Sequence, residues 1–248
     1  MERARLTRYG LLSVTGDDAR AFLHAQLTKD IEKLPPSRAA LAGWCSAKGR
    51  LLASFLVIPA ADGGFLLQLA RDLAPAVAKR LSMFILRSKV KIVDVSDAWA
   101  QLGVWGEPFG GEIFSVMKEN NLLQVKVGEQ RALLLGPEPE MRYRAATGSE
   151  EAWVLEEIRA GRPFISAATQ DQFVPQMVNL EAIGGVDFQK GCYPGQEIVA
   201  RAQYRGQVKR RMVRLQAPAG AKLQPGQEFS GGVVVDAAGG EVLAVVPV

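Results

Sequence analysis

Residues 190–197 read Lys-Gly-Cys-Tyr-Pro-Gly-Gln-Glu, and the Pro-Gly pair inside this octapeptide restricts the backbone more than any other stretch of the chain. Pro194 fixes its own φ and biases Tyr193 toward an extended conformation, while Gly195 supplies the positive φ that a type II turn needs at its third position. Residues 196–202 then read as a helix. Cys192 is therefore expected just before a constrained turn and near a helix N-terminus, with Lys190 beside it, surroundings that favour a thiolate. The same residues also allow a small buried core cysteine, since free cysteine is among the most buried residue types.

The rest of the chain reads as alternating short elements. Residues 9–14 form a strand, and Thr15-Gly16-Asp17 offers capping groups to a helix through about Leu27, with Ala19, Phe22, Leu23 and Leu27 on one face. The apolar runs 39–46, 51–58 and 65–70 are separated by turn residues and predict a three-stranded meander, followed by a helical apolar stripe over 73–86. Further strands are expected at 90–95, 101–105, 122–127 and 132–135, and Ser149 caps a helix that runs to Ala160 and ends at Gly161 and Pro163. Strands and helices are mixed without the strict alternation of a doubly wound sheet. The expected fold class is α+β, with two plait-like lobes and mostly antiparallel sheets. Beyond 207, strands at 208–215, 233–235 and 242–246 alternate with Pro218-Ala219-Gly220, Pro225-Gly226 and Gly239-Gly240. This predicts a short β-rich, barrel-like module over 206–248, set against a region 1–205 of two interleaved lobes.

Composition removes several classes of function. At 248 residues, 48% hydrophobic and 23% charged, the chain has the balance of an ordinary soluble protein. No stretch approaches the roughly 20 apolar residues of a membrane span, and the N-terminus lacks the apolar core of a signal peptide, so a cytoplasmic location is expected and no membrane partner. Two cysteines, Cys45 and Cys192, and one histidine, His24, are too few for a disulfide framework or a cysteine-rich metal site, and no metal is expected. Cys45, in a strand-like run beside Trp44, is expected to be buried and structural. Gly184-Gly185 stands alone, without the context of a phosphate-binding loop. A Cys-His nucleophilic pair would need His24 to meet Cys192 in space, and with no serine-hydrolase elbow, hydrolase chemistry is disfavoured. The net charge is only +4, but Arg201, Arg205, Lys209, Arg210, Arg211 and Arg214 fall between 198 and 216 with no acid among them. Such a run is either a solvated face or a patch for nucleic acid or an anionic small molecule.

The octapeptide and its approach carry a resemblance. Residues 172–206, with Phe173-Val174-Pro175-Gln176 and Gly184-Gly185-Val186-Asp187-Phe188 ahead of the block, are similar to the hallmark segment of the YgfZ proteins. These are folate-binding relatives of the glycine cleavage T protein, implicated in iron–sulfur cluster maintenance and, through it, in tRNA modification. The block matches the family pattern Lys-Gly-Cys-(Tyr/Phe)-x-Gly-Gln-Glu at every specified position. Residues 9–27 resemble the family's opening strand and helix, residues 44–50 its Cys-x-x-Lys-Gly-(Arg/Lys) hairpin, and residues 153–164 the stretch ahead of its Gly-x-Pro turn. The likeness spans about 5–206; the C-terminal module is shorter than is usual for the family.

The resemblance implies folate, as tetrahydrofolate or a derivative, as the cofactor. It implies that Tyr9 and Trp153 line the folate site as aromatic faces, that Tyr193, Gln196 and Glu197 of the block contribute to it, and that Arg201 and Arg205 are partners for the anionic glutamate tail. It further implies a reactive Cys192, with Lys190, in handling an iron–sulfur cluster or in sulfur or redox exchange with iron–sulfur proteins or assembly factors. Two departures matter. T proteins carry an Asp-Asp pair after a Gly-Gly hairpin, where this chain has Ala53-Ser54, which argues against aminomethyl transfer. Their Ile/Leu-Glu-Ala-Gly sequence is here Ile158-Arg159-Ala160-Gly161, leaving Glu156 or Glu157 as substitutes for the pterin-facing carboxylate. The expected function is a folate-binding accessory protein of iron–sulfur cluster assembly or repair. The alternatives are a tetrahydrofolate-dependent one-carbon transferase and an RNA-binding module using the basic run.

Overall fold

The structure, a computed structural model, describes every residue except Ala61, Ala219 and Ser230, so the Pro-Ala-Gly turn expected at 218–220 lies partly outside the described residues. In chain order the first elements are β1 (Glu2–Arg5), β2 (Tyr9–Thr15), α1 (Ala19–Gln26), β3 (Ala40–Cys45), β4 (Leu51–Pro59), β5 (Phe65–Ala70) and α2 (Ala74–Ser82). Then come β6 (Lys91–Asp94), β7 (Trp99–Trp105), β8 (Val116–Glu119), β9 (Leu122–Gly128), β10 (Arg131–Pro137), α3 (Glu138–Met141) and α4 (Glu150–Arg159). The last are α5 (Gln196–Tyr204), β11 (Arg210–Gln216), β12 (Glu228–Phe229), β13 (Gly232–Ala238) and β14 (Glu241–Pro247). The class is α+β with antiparallel ladders, as the mixed pattern predicts.

The chain divides into two compact units, each discontinuous in sequence. The first comprises Met1–Phe22, Glu32–Ala40 and Leu56–Trp153. It contains a sheet in the order β1-β7-β10-β9-β8, and β2 lies between β5 and β6 in a second ladder to which residues 56–59 of β4 add. Leu11, Leu12, Phe65 and Leu67 are fully covered there, and such burial contributes about 1.5–3 kcal/mol per side chain. A polar link crosses this unit: Gln68 donates to the Gln101 side chain at 2.8 Å, and Gln101 donates to the Tyr9 carbonyl at 3.1 Å. α2 stops at Ser82, short of the stripe expected to reach 86, and Met83, Phe84 and Leu86 turn outward, Leu86 with 91% of its surface exposed. β1 and β8 leave no apolar run in the sequence; as outer strands of their sheet they bury little, β1 only Ala4.

The second unit comprises Leu23–Ile31, Leu41–Phe55 and Val154–Val248. It holds most of β3, the first half of β4, most of α4, all of α5 and a four-stranded sheet in the order β11-β14-β13-β12. That sheet is the expected β-rich C-terminal module, and the boundary drawn near 205 falls inside this unit. Glu241 at the start of β14 is buried and accepts from Arg159 of α4 at 2.8 Å. The helix is thereby tied to the sheet.

Candidate functional site

The octapeptide folds as its Pro-Gly pair requires. The Gln196 amide donates to the Tyr193 carbonyl at 3.2 Å, and Gly195 sits at φ 79°, ψ 3°, the third position of a type II turn and the residue that caps α5. The space around Gly195 is filled by backbone. A Cβ there would collide with the Ser46 carbonyl oxygen and lie 2.7 Å from Gly49 Cα and 2.8 Å from Gly49 N. Gly49, at φ 69°, closes the β3–β4 hairpin through its amide on the Ser46 carbonyl at 2.8 Å. A Cβ on Gly49 would in turn lie 2.8 Å from Ile198 Cβ. The Cys-x-x-Lys-Gly-Arg hairpin and the octapeptide thus interlock glycine against glycine, a contact that explains both motifs at once.

The other members of the block are committed inward. Lys190 is 8% exposed; its ammonium donates to the carbonyls of His24 (2.6 Å) and Leu27 (3.0 Å) and lies 4.7 Å from the centre of the Tyr193 ring. These hydrogen bonds satisfy carbonyls at the C-terminal end of α1, the pairing a helix end favours. Tyr193 is buried, and burial, followed by charge on nearby Cys45, pushes its hydroxyl well above the ordinary tyrosine range. Gln196 reaches back to the Lys190 carbonyl at 3.5 Å. Cys192 alone among the cysteines is exposed, four residues ahead of α5.

Cys45 is buried as expected, and burial raises its thiol from the ordinary 9.0 to about 12. Two results follow. Iodoacetamide at pH 7.5 should modify one thiol per folded chain, at Cys192, and two only after denaturation, as read by peptide mass spectrometry. Between pH 9.0 and about 12 the unfolded chain releases the Cys45 proton while the folded chain keeps it, so this group's contribution to stability is full below pH 9 and declines through that window.

In the first unit, Tyr9 and Trp153 have different surroundings. Tyr9 borders a cavity of about 600 Å³ that is also lined by Arg5, Arg71, Trp99, Gln101 and Glu138. Trp153 is 2% exposed and lies flat on β7: a Cβ on Gly103 would fall within its indole, with even Cε2 at 2.9 Å. Trp105 and the Arg131 guanidinium flank the same ring, each 5.9 Å away. β7 and these neighbours cover the Trp153 ring, expected as a wall of the folate site. Gly103 was the signal in the sequence, since a glycine inside a strand marks close approach by another group.

The positions where T proteins differ are occupied structurally. The Ser54 hydroxyl donates to the Pro163 carbonyl at 3.3 Å and accepts from the Ile165 amide at 3.1 Å, joining β4 to the segment after the Gly-x-Pro turn. Arg159 pairs with Glu241 and, at 3.0 Å, with Glu156; Arg162 pairs with Glu157 at 3.3 Å. Both substitute carboxylates are thus engaged by guanidiniums. The basic run is similarly reduced: Arg210 donates to the Gly231 carbonyl, Arg211 to the Gln176 carbonyl and Glu181, and Arg214 lies 3.6 Å from Glu241. Arg201, Arg205 and Lys209 are exposed, as is Glu197. Among the described residues no three His, Cys, Asp or Glu side chains are grouped to hold a metal ion, and no helix is long and apolar enough to cross a membrane.

Comparisons with known proteins bear on the family and the fold. The family described as the GCVT N-terminal domain matches residues 6–124. An uncharacterized protein of Haemophilus influenzae is 37% identical over 84% of this chain and 70% of its own. The protein of Escherichia coli named tRNA-modifying protein YgfZ is 31% identical over 90% of this chain and 74% of its own, and that of Edwardsiella ictaluri is 32% identical over 87% and 71%. Among solved structures, the glycine cleavage system aminomethyltransferase T of Bartonella henselae superposes with a TM-score of 0.77 at 14% identity, covering 99% of this chain and 78% of that one.

Proposed function

From the premise that this chain belongs to the YgfZ family, we propose that it is a folate-binding accessory protein of iron–sulfur cluster assembly or repair, with Cys192 as its working thiol. The observation that carries the reading is the turn itself. Lys190 and Tyr193 are buried, Gly195 is locked on Gly49, and Cys192 is left exposed between them. A thiol so displayed suits exchange with a partner's sulfur, which needs access and a fixed position rather than a deep cavity.

The residues around Tyr9 fit a folate. The cavity has the volume of a small-molecule site, Tyr9 and Trp99 border it as rings for a pterin or aminobenzoate, and Arg5 and Arg71, which pair with Glu138 and Asp97, keep further N–H donors for the glutamate carboxylates. A reduced folate supplies one-carbon chemistry on its ring nitrogens. Ala53 has no polar group and the Ser54 hydroxyl is engaged at both ends, so neither acts as an acid or base there. That favours a bound folate over aminomethyl transfer.

The test is complementation. In cells lacking their own copy, Cys192→Ser should accumulate to the wild-type level, because an exposed substitution changes stability by less than about 0.5 kcal/mol, yet fail to restore iron–sulfur enzyme activity. Full restoration would discard the thiol role. For the cofactor, 5-formyltetrahydrofolate should quench tryptophan fluorescence, with Tyr9→Leu weakening binding about tenfold; an unchanged titration would remove Tyr9 from the site.

A further inference from the structure

The basic run over 198–216 divides in two. Arg210, Arg211 and Arg214 are spent on the fold, through the Gly231 carbonyl, the Gln176 carbonyl with Glu181, and Glu241. The side chains of Arg201, Arg205 and Lys209 are exposed and have no hydrogen-bond or ion-pair partner among the described residues. Arg201 and Tyr204 stand one turn apart on the solvent side of α5, and Arg205 follows at its end. Glu197, an acid on the same face, lies in the first turn, away from that end. Tyr204 is 68% exposed. Phe188 meets its ring edge-on, with centroids 5.8 Å apart at 71°, so the side chain is supported while most of its surface stays open. An exposed tyrosine alone means little; this one stands between two unpaired guanidiniums and beside a cavity. The cavity, of about 540 Å³, opens where α5 ends and is lined by Ala202, Gln203, Gln207, Lys209, Arg211 and Val248. Its rim at Arg211 is fixed by the Gln176 carbonyl and Glu181. The side-chain amides of Gln203 and Gln207 have no partner among the described residues, and each carries both donors and an acceptor.

We infer that the end of α5 and the cavity beside it form a binding surface for single-stranded RNA. Three chemistries coincide there. Arg201, Arg205 and Lys209 are cations without an acid to neutralise them, which suits phosphates. The Tyr204 ring offers a face on which a base can stack. The Gln203 and Gln207 amides, at a cavity with room for a nucleotide, can meet a base edge or a 2′-hydroxyl. A duplex hides the faces of its bases from a tyrosine, whereas RNA displays them in its loops and single strands. A lipid surface or an acidic protein would satisfy the cations but would leave the open ring and the amides without a role. The surface is separate from the cavity at Tyr9, with which it shares no residue, and does not involve the thiol.

The test is fluorescence anisotropy of a labelled, unstructured RNA of about 12 nucleotides, titrated with the intact protein between about 50 and 200 mM salt. Three phosphate contacts at about −0.7 each predict a slope of log affinity against log salt of about −2. Arg205→Gln combined with Lys209→Gln should flatten that slope to about −0.7. Tyr204→Ala should weaken binding about tenfold at every salt concentration and leave the slope as it was, because stacking releases no counterion. Tyr204→Phe should bind as wild type. These side chains are exposed, so the melting temperature should stay near that of the wild type. No binding at about 50 mM salt, an unchanged slope in the Arg205 and Lys209 variant, or an unchanged affinity in Tyr204→Ala would overturn the assignment. Equally tight binding of the DNA strand of the same sequence, of the RNA duplex or of phosphatidylserine vesicles would reduce the surface to plain charge attraction and would overturn it as well.

Discussion

Gly195→Ala is expected to destabilise the protein by about 3 kcal/mol or more and to abolish complementation. Two costs add. A residue with a side chain at φ 79° is in the left-handed region, which costs roughly 1–2 kcal/mol. The new Cβ would also collide with the Ser46 carbonyl and the Gly49 backbone, and backbone cannot swing aside as the end of a long side chain can. Relief requires the β3–β4 hairpin and the octapeptide to separate. Thermal unfolding should fall by roughly 10 °C for a chain of this size, and Cys45, which lies at the end of β3, should become accessible to alkylation. A variant with wild-type melting and one reactive thiol would show that the two glycines do not constrain each other. Gly184→Ala is the control: it too has positive φ, but nothing lies within 4 Å of its added Cβ, so only the conformational cost applies.

Trp153→Ala is expected to cost about 3–5 kcal/mol, the range for emptying a buried tryptophan site, and to act on folding rather than on ligand affinity. The ring fills the space that Gly103 leaves on β7, and its loss exposes a cavity bordered by Trp105 and Arg131. Folate affinity per folded molecule should change little, whereas the denaturation midpoint should drop strongly. Trp153→Phe should recover much of the loss. The reverse pattern, wild-type stability with a large loss of folate affinity, would mean that the ring faces a ligand after all.

Much of this architecture is legible locally, and the exceptions share a cause. The Pro194-Gly195 turn, the cap at Ser149 on the Ala152 amide and the helix stop at Gly161 (φ 66°) each follow from residues adjacent in sequence. Apolar runs locate β2, β4 and β5 because nearly every residue in them is buried. β1 is illegible because Glu-Arg-Ala-Arg buries one alanine, and the end of α2 is illegible because Met83, Phe84 and Leu86 continue an apolar pattern without a surface to cover. At the site, the turn that displays Cys192 could be read in advance. The partners of Lys190 and the His24 ring beside Gly191 could not, since each depends on segments distant in the chain; Gly103 signals a close approach to β7 but not that Trp153 makes it. The basic run illustrates the same limit: three of its six cations are tethered by acceptors outside it.

Lys190 is separated from its carbonyl acceptors by 166 and 163 positions. A ribosome adding about 5–20 residues per second needs roughly 8–30 s to bridge that gap. Throughout that interval the last turn of α1 holds bare carbonyls, and the hairpin carrying Gly49 has no glycine to dock against. Emergence of residues 190–195 closes both vacancies together, so nascent chains shorter than this should be sensitive to proteolysis near α1 and resistant once the turn has left the exit tunnel.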